Sequence, residues 1–293
     1  MNEFIQQLIN GIHVGSIYAL IALGYTMVYG IVKLINFAHG DILMMGSYFG
    51  LFSITVLRLP FAVALIVSMV MCAIFGMLID VIAYKPLRNA PRISALITAL
   101  GVSLVLENLF RVFFGAEPKK MPEVASLTGA FHLGSITISY VTVLTVVLSV
   151  VFMIGLQFIV KKTNVGKAMR AVSEDKEAAR LMGVNVNKTI SITFALGSAL
   201  GALGGVLYSV AYTQVDPYMG IMPGLKAFVA AVLGGIGIIP GAMLGGFVMG
   251  LIESLSIGYI STSWSNAIVF GILILVLLFK PEGILGKNVR EKV

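Results

Sequence analysis

The sequence predicts an all-α membrane protein: a polytopic helix bundle with eight or nine transmembrane segments, one of them broken or re-entrant, forming a single domain over residues 1–293. Three observations predict this class. Hydrophobic residues make up 58% of the chain and charged residues only 11%, and the mean hydropathy is +1.00. Soluble domains carry about 25% charged residues. A water-soluble domain of this size could not bury so many apolar side chains, because its surface must stay polar. The composition therefore excludes soluble enzymes, nucleic-acid-binding proteins and disordered scaffolds.

Eight runs without Asp, Glu, Lys or Arg define the predicted spans, because a bilayer core about 30 Å thick needs roughly 20 apolar residues in a helix. Two of the runs are short and reach spanning length only with neighbouring polar residues. Asn36, His39 and Asp41 extend one of them, and Glu107 and Arg111 extend the other. The eight runs are 4–32, 42–57, 59–79, 93–106, 133–160, 189–215, 227–252 and 254–279.

The Lys and Arg residues lie mostly in a few short loops, which is the charge pattern of a membrane protein. If the N-terminus lies outside and the chain crosses nine times, the inside loops hold most of the 20 basic residues. Those loops contain Lys33 and the segments 85–92, 161–188 and 280–292. Since basic residues favour the inside, the sequence predicts an outside N-terminus and an inside C-terminus.

Glycines recur every four residues along the later spans, as in the segment 197–205. Small residues at this spacing let helices pack closely in a membrane. The segment 233–250 differs, because its glycines and proline would interrupt a regular helix. Irregular backbone at membrane depth is tolerated only inside protein or beside a cavity. We therefore expect a broken or re-entrant element with Gly234 and Gly235 beside a pathway, and one crossing or two in this region.

Polar residues within the spans are candidates for function, since an ionisable side chain at a helix centre costs roughly 2.5–3.5 kcal/mol on insertion. Asn36, His39 and Asp41 follow the first span and are predicted to line a pathway or to transmit a partner's motion. The alternative is structural, with His39 and Asp41 satisfied by neighbouring helices or by Lys33. Glu253 interrupts two apolar runs without a basic residue nearby, so it should face another helix or a wet cavity.

Other polar residues suggest simpler roles. Glu107 and Arg111 are four residues apart, which predicts an ion pair within one helix. Lys226 is expected near the outer entry of the broken segment, in contact with lipid headgroups or a partner protein. His13 and His132 are isolated in the sequence, so we predict no metal site and no catalytic constellation.

The longest hydrophilic stretch, 161–188, has seven basic and three acidic residues. Residues 167–182 have helix-forming composition and end before Gly183, which predicts one amphipathic helix. Such a helix between two spans either docks a soluble partner or rests on lipid headgroups. Its apolar strip is predicted to contain Ala168, Val172, Ala179 and Met182.

Motifs in this loop and in the spans resemble those of a known transporter family. Glu177, Ala178 and Ala179, followed by Gly183, resemble the EAA motif with which ABC-importer permeases contact their ATPase, although the further IxLP tail is absent. Other segments resemble the branched-chain amino acid ABC transporter permeases, and most closely the shorter of the two permeases that this family pairs. Those segments are GYTMVYG at 24–30, INFAHGD at 35–41, GLKAF at 224–228, GG at 234–235 and PGA at 240–242.

The resemblance implies a permease subunit that moves leucine, isoleucine or valine across the bacterial inner membrane by alternating access. It implies ATPase subunits, a second and paralogous permease, and a periplasmic or extracellular substrate-binding protein as partners, besides membrane lipid. Glu177, Ala178, Ala179 and Gly183 would belong to a cytoplasmic ATPase-coupling loop at about 161–188. The chain has no GxxxxGK[ST] phosphate loop, which is the signature of an ATP site. ATP and Mg²⁺ are therefore expected on the ATPase chains, with no cofactor and no enzyme activity in this chain.

Two other functions agree with parts of the sequence. A urea or short-amide ABC permease is similar enough to be an alternative, because apolar pore residues do not identify the substrate. An ion-coupled secondary transporter, a different class, would use a buried carboxylate such as Asp41 or Glu253 and would not need the coupling loop. A membrane-embedded enzyme is disfavoured because the sequence contains no catalytic set of residues.

Overall fold

The computed structural model describes residues 2–88, 90–134 and 136–286, and these form the predicted all-α bundle with four short strands at one end. A π-helical turn at Asp80–Tyr84 and a 3₁₀ turn at Lys85–Leu87 extend the third helix, and another 3₁₀ turn lies at Ala125–Leu127. The helices are α1 (Asn2–Val32), α2 (His39–Thr55), α3 (Phe61–Ile79), α4 (Arg92–Phe114), α5 (Tyr140–Lys162), α6 (Asn164–Glu174), α7 (Lys176–Leu181), α8 (Val186–Tyr212), α9 (Ile221–Gly234), α10 (Ile239–Tyr259) and α11 (Thr262–Phe279). The strands are β1 (Lys119–Lys120), β2 (Ala130–Leu133), β3 (Ile136–Ser139) and β4 (Gln214–Val215).

Seven helices within the described residues are long and apolar enough to cross a membrane: α1, α3 with its extension, α4, α5, α8, α10 and α11. Two further predicted crossings form the shorter helices α2, with 17 residues, and α9, with 14 residues. At 1.5 Å per residue these measure about 25 Å and about 21 Å, less than a bilayer core of about 30 Å. Helix length alone therefore does not give the predicted eight or nine full crossings.

Helices α1, α8 and α10 form the centre of the bundle, where glycines bring backbones into contact. In the most apolar window of α1, 83% of the residues are buried, against 22% in α4, 17% in α5 and 11% in α11. A Cβ added to Gly15 of α1 would lie 2.8 Å from the Cα of Phe247 in α10, and one added to Gly197 of α8 would lie 3.1 Å from the carbonyl oxygen of Gly24 in α1. The predicted close packing of small residues is confirmed at these contacts. The weakly buried outer helices are left facing lipid or another protein.

The two ends of the bundle carry different structures. The strand end holds the antiparallel pair β1–β4, with Lys119 opposite Val215, and the antiparallel hairpin β2–β3. The loop end holds α6 and α7. α1 runs from the strand end, where the Gln6 side chain hydrogen-bonds to the backbone of Thr137, to the loop end.

The predicted broken element at 233–250 is two regular helices joined by a tight link. Gly235 and Gly237 in the link have φ angles of +105° and +95°, which glycine adopts without steric cost. The following helix, Ile239–Tyr259, is continuous. Gly237 lies against Gly30, close to the C-terminal end of α1. The prediction of a break is confirmed, but its position is at the loop end and not at mid-span.

Two helices begin inside the bundle instead, which the sequence analysis did not predict. α2 starts at His39, whose ring lies against Gly24 of α1, about 12 Å along the helix from the end of α1. α9 starts after Gly220, and this glycine contacts Gly40 in the first turn of α2. The chain therefore enters the interior from the loop end before α2 and from the strand end before α9, and the two helix starts meet inside the bundle.

Basic residues predicted for one side of the membrane gather at the loop end. Lys33 and Arg88 lie there together with the basic residues of α6 and α7. Three further residues of the predicted inside set, Lys287, Arg290 and Lys292, lie outside the described part of the chain.

Candidate functional site

The loop 161–188 forms two short helices, so the predicted single helix over 167–182 is wrong. Asp175 separates α6 from α7 because its backbone is extended, with a φ of −151°. Its carboxylate accepts hydrogen bonds from the backbone N–H groups of Glu177 and Ala178 at 2.8 and 2.9 Å. Asp175 is therefore an N-cap, and the chain changes direction at this residue.

The change of direction alters which side chains are buried. Met169 and Val172 of α6 and Ala179 of α7 are buried, whereas Leu181 and Met182 are 88% and 84% exposed. The predicted apolar strip is thus right for Val172 and Ala179 and wrong for Met182, because α7 does not continue the line of α6. Leu181 and Met182, which we call the α7 tip, are adjacent exposed apolar side chains at the end of α7.

The predicted coupling residues lie on α7 and on its C-terminal cap. Glu177 and Ala178 are exposed, and Ala179 anchors the helix to the bundle. Gly183 has a φ of +82°, and its N–H donates to the carbonyl oxygen of Arg180 at 3.0 Å, which closes the last turn. An added Cβ at Gly183 would meet nothing within 4 Å in the described residues. Glycine is therefore favoured here by its backbone angle and not by space.

A second group of predicted residues lies where α2 and α9 meet. We call it the central junction and define it as Asn36, His39 and Asp41 with Gly40 and Gly220. The three polar residues are only 1–3% exposed. A Cβ on Gly40 would lie 2.6 Å from the carbonyl oxygen of Gly220, so only the absence of a side chain permits this contact between the helix starts.

Each polar side chain of the central junction retains one atom without a hydrogen-bond partner among the described residues: Asn36 Nδ2, His39 Nε2 and Asp41 Oδ2. Asn36 Oδ1 accepts the Tyr84 hydroxyl at 2.7 Å, and the His39 ring packs edge-on against Tyr25 with centroids 4.7 Å apart. Buried polar atoms are nearly always paired, and ionisable groups inside membranes mark functional sites. The unpaired atoms therefore favour a functional role for the junction.

Asp41 faces the polar side of α4. It lies beside Ser103 and within electrostatic reach of Glu107. Lys33, its predicted structural partner, is exposed and forms no ion pair with Asp41 in the part of the chain described. The carboxylate is thus buried beside a hydroxyl and a second carboxylate, and no described residue forms an ion pair with it.

The predicted ion pair between Glu107 and Arg111 is wrong. Arg111 donates instead to the Tyr218 hydroxyl at 3.3 Å. Tyr218 lies in the link between β4 and α9, so this contact joins α4 to the chain segment that leads into the central junction. Glu107 is 8% exposed and stays on the side of α4 that faces Asp41.

Glu253 belongs to a different buried cluster, the ion-pair triad of Tyr18, Lys226 and Glu253. Lys226 Nζ lies 2.6 Å from Glu253 Oε1, and the Tyr18 hydroxyl donates to Glu253 Oε2 at 2.7 Å. The expectation that Glu253 faces another helix is confirmed. The expected contact of Lys226 with headgroups or a partner is wrong, because Lys226 is 7% exposed and Glu253 balances its charge inside the bundle.

Gly234 and Gly235 lie at the loop end, away from the central junction. The N–H groups of Ile284 and Leu285 donate to the carbonyl oxygens of Leu233 and Gly234 at 2.8 and 3.2 Å. The chain after α11 therefore packs on the α9–α10 link. The geometry gives both glycines a packing role there, and their predicted place beside a pathway stays a prediction.

Three residues complete these clusters but were not predicted as contact residues: Tyr25, Ser103 and Tyr18. Tyr25 stands in the quoted segment 24–30, so its place in a family motif was an available signal. Ser103 and Tyr18 stand among apolar residues with no distinguishing pattern, and only the packing of α4 and α10 reveals their roles.

The central junction offers groups for binding a polar solute. In the described residues no group of three or more His, Cys, Asp or Glu side chains is arranged to hold a metal ion. Asp41 Oδ2 can accept a hydrogen bond from an ammonium group, and Asn36 Nδ2 can donate to a carboxylate. This chemistry suits transient contact with a zwitterion.

Comparisons with known proteins agree over almost the whole chain. The profile of the family described as "Branched-chain amino acid transport system / permease component" matches residues 7–277. The high-affinity branched-chain amino acid transport system permease protein BraD of Pseudomonas aeruginosa is 42% identical over 304 residues, covering 99% of this chain and 98% of that protein. LivH of Escherichia coli, with the same description, is also 42% identical, with coverage of 99% and 98%. A probable branched-chain amino acid transport permease protein LivH of Methanocaldococcus jannaschii is 32% identical, with coverage of 92% and 89%.

Proposed function

Because this chain belongs to the family of branched-chain amino acid transport permease components, we propose that it is the permease subunit of an ATP-driven importer of leucine, isoleucine and valine. The observation that carries the proposal is the 42% identity to high-affinity branched-chain amino acid permeases over 99% of the chain. As a permease subunit it is a transport component and not an enzyme. ATP and Mg²⁺ bind to separate partner chains.

The loop end is the face that meets the ATPase subunits. Ala179 and the buried residues of α6 fix the loop to the bundle, while Glu177 and the α7 tip remain exposed. A short helix that is anchored on one side and exposes apolar side chains on the other can transmit motion from a soluble partner. The ATPase stroke reaches the spans through α5 and α8, which flank the loop in the chain.

The central junction lies on the solute pathway. It contains unpaired polar atoms at mid-bundle, and it is formed by two incomplete helices, which in membrane transporters commonly build substrate sites. α4 covers Asp41 and is itself weakly buried. The face of α4 opposite the bundle is therefore available to the second permease subunit, which completes the pathway.

Charge sets the orientation in the bacterial inner membrane. The basic loop end faces the cytoplasm, following the positive-inside rule, which places the N-terminus of α1 outside. The strand end then faces the substrate-binding protein that delivers the amino acid.

Uptake of labelled leucine in cells with and without the gene tests this proposal. We expect gene-dependent uptake that excess isoleucine and valine block and excess urea does not. We also expect uptake to stop on ATP depletion while the ion gradient is clamped, because hydrolysis on the partner chains drives the cycle.

Two results would contradict the proposal in different ways. If cells without the gene lose urea transport and leucine uptake does not depend on the gene, the protein is still a permease but its substrate is urea. Leucine uptake that survives ATP depletion and follows the ion gradient would replace the ATP-driven mechanism by ion coupling.

A further inference from the structure

A cavity of about 540 Å³ lies at the loop end between the α6–α7 segment and the bundle. This volume falls within the range of about 300–1,000 Å³ that is typical of small-molecule sites. Its walls come from α1, the α1–α2 link, α6, α7, α8 and the turn after α3. The cavity is separate from the central junction, which lies deeper in the bundle.

One wall of the cavity is basic. Arg88 holds Asp80 with one guanidinium nitrogen at 2.7 and 2.8 Å from the two carboxylate oxygens. A second guanidinium nitrogen donates to Asn187 Oδ1, and the buried Nε has no hydrogen-bond partner among the described residues. Lys176 lies nearby, and burial together with the charge of Arg88 lowers the pKa of its ammonium group. Within the described residues neither Lys176 nor Lys33, which also lines the cavity, forms an ion pair.

A second wall is aliphatic. Ile31 at the end of α1, Val172 of α6, and Val186 and Ile190 of α8 all line the cavity. These residues are at most 6% exposed, and Ile31 and Val186 keep the largest exposed fractions of the four. Such a wall favours a branched aliphatic side chain by apolar burial.

Carboxylates stand at the rim. Glu174 and Glu177 line the cavity and are exposed, so both carboxylates are hydrated and free to approach a cation. Asp175 lies between them but already caps α7. The cavity is thus lined by cations, by aliphatic side chains and by exposed carboxylates.

We propose that this cavity binds a free aliphatic amino acid from the cytoplasm. The α-carboxylate contacts Lys176 beside Arg88, the side chain packs on Ile31 and Val186, and the α-ammonium meets the exposed carboxylates of Glu174 and Glu177. A molecule held there bridges the coupling loop and the bundle, so it restrains their relative motion and slows import when the product accumulates. The binding site follows from the cavity itself, and the regulatory role rests on the proposed function.

Binding of tritiated leucine to the full-length chain in lipid nanodiscs tests the site. Lys176→Gln keeps the side-chain length and removes the charge, so we expect about tenfold weaker binding, as for loss of one charge-assisted contact. Lys33→Gln should weaken binding to a smaller extent. Lys162→Gln is the matched control, because Lys162 is an exposed lysine near the same loop that does not line the cavity, and its affinity should equal that of the wild type.

Analogues separate the two charged contacts. Leucinol lacks the carboxylate and 4-methylpentanoate lacks the ammonium group, so each should compete with leucine about tenfold less well than isoleucine does. Unchanged leucine affinity in both Lys176→Gln and Lys33→Gln would overturn the proposal. So would equal competition by leucinol.

The regulatory role is tested by uptake of labelled isoleucine into cells preloaded with unlabelled leucine, with each strain compared with its own unloaded rate. Internal leucine should slow uptake in the wild type and in Lys162→Gln, and should have little effect in Lys176→Gln. Equal inhibition in all three strains would refute the regulatory role. Absence of isoleucine uptake in every strain, including the wild type, would instead contradict the proposed function. The binding measurements in nanodiscs would then still show whether the cavity binds leucine.

Discussion

The bundle buries two polar clusters that differ in how completely their atoms are paired. In the ion-pair triad, Lys226 and Tyr18 occupy the two carboxylate oxygens of Glu253 at 2.6 and 2.7 Å. In the central junction, Asp41 has a carboxylate oxygen and His39 a ring nitrogen that no described residue contacts with a hydrogen bond. Both clusters are almost fully buried, so solvent does not account for the difference.

We interpret the difference as a structural use of buried charge in the triad and a proposed functional use in the central junction. A paired buried charge contributes to stability chiefly because removal of its partner is costly. An unpaired polar group costs stability in the resting protein and persists where a solute or a motion requires it. We therefore expect changes in the triad to act mainly on folding and changes in the junction to act mainly on transport.

The substitution Glu253→Leu should destabilise the protein most. It leaves the Lys226 ammonium buried without a partner, which typically costs about 3–5 kcal/mol. Unfolding of the purified protein by increasing mole fractions of SDS in mixed micelles measures the loss. The control combines Glu253→Leu with Lys226→Met and Tyr18→Phe, which removes all three polar groups and should regain most of the stability. A single variant within about 1 kcal/mol of the wild type would show that the triad is not structural.

The substitution Gly24→Ala should introduce a steric clash between α1 and His39 at the start of α2. The new Cβ would overlap His39 Nε2 and lie 2.8 Å from the carbonyl oxygen of Gly197, and such overpacking costs about 1–3 kcal/mol. Gly101→Ala is the matched control, because a Cβ there meets nothing within 4 Å in the described residues and alanine favours a helix by about 0.5–1 kcal/mol. The same SDS titration should move the two variants in opposite directions. Equal shifts would contradict the contact between α1 and the start of α2.

The substitution Gly183→Ala tests the coupling loop through its backbone. A φ of +82° costs a residue with a Cβ about 1–2 kcal/mol, and this strain should unwind the end of α7. We expect ATP-dependent leucine uptake to fall severalfold while the amount of protein in the membrane stays unchanged. Gly155→Ala, in a helix with free space around the added Cβ, should keep normal uptake. Full uptake in Gly183→Ala would show that transport does not require the glycine cap at the end of α7.

The substitution Asp41→Asn should have the smallest effect on stability and a large effect on transport. Asp41 has no cation partner among the described residues, so its neutralisation leaves no charge unpaired, and the free energy of unfolding should change by less than about 1 kcal/mol. Leucine uptake should fall severalfold, because the carboxylate faces the proposed pathway. Asn108→Ala, which removes only a bond to Leu104 of the same helix, should change neither quantity. A loss of stability comparable to that of Glu253→Leu would assign the junction to structure.

Much of the fold was predictable because local composition controls it. An apolar run of sufficient length must form a helix in a bilayer, since its backbone groups have no other partner there. This predicted α1, α3 and α8 within a few residues. The glycine-rich link before α10 was predicted as a break because its glycines and proline interrupt a regular helix, and Gly235 and Gly237 adopt φ angles that other residues avoid.

The contacts of the candidate site were less predictable because they join distant parts of the chain. Lys226 and Glu253 are 27 residues apart, and Tyr18 and Glu253 are 235 apart. Neither spacing produces a periodic pattern. The start of α2 depends on the contact of His39 with Gly24 and on the contact of Gly40 with Gly220. No local stretch of the sequence shows these contacts.

The sequence by itself determined the class of the protein, its membrane-spanning helices and, through family resemblance, its proposed role in transport. These follow from hydropathy, glycine spacing and short motifs, all of which act within one segment. Only the tertiary structure decided which buried charges are paired, where the incomplete helices meet and that α6 and α7 are separate. The physical reason is that a buried polar group depends on the helix packed beside it, and that neighbour is set by the whole bundle rather than by adjacent residues.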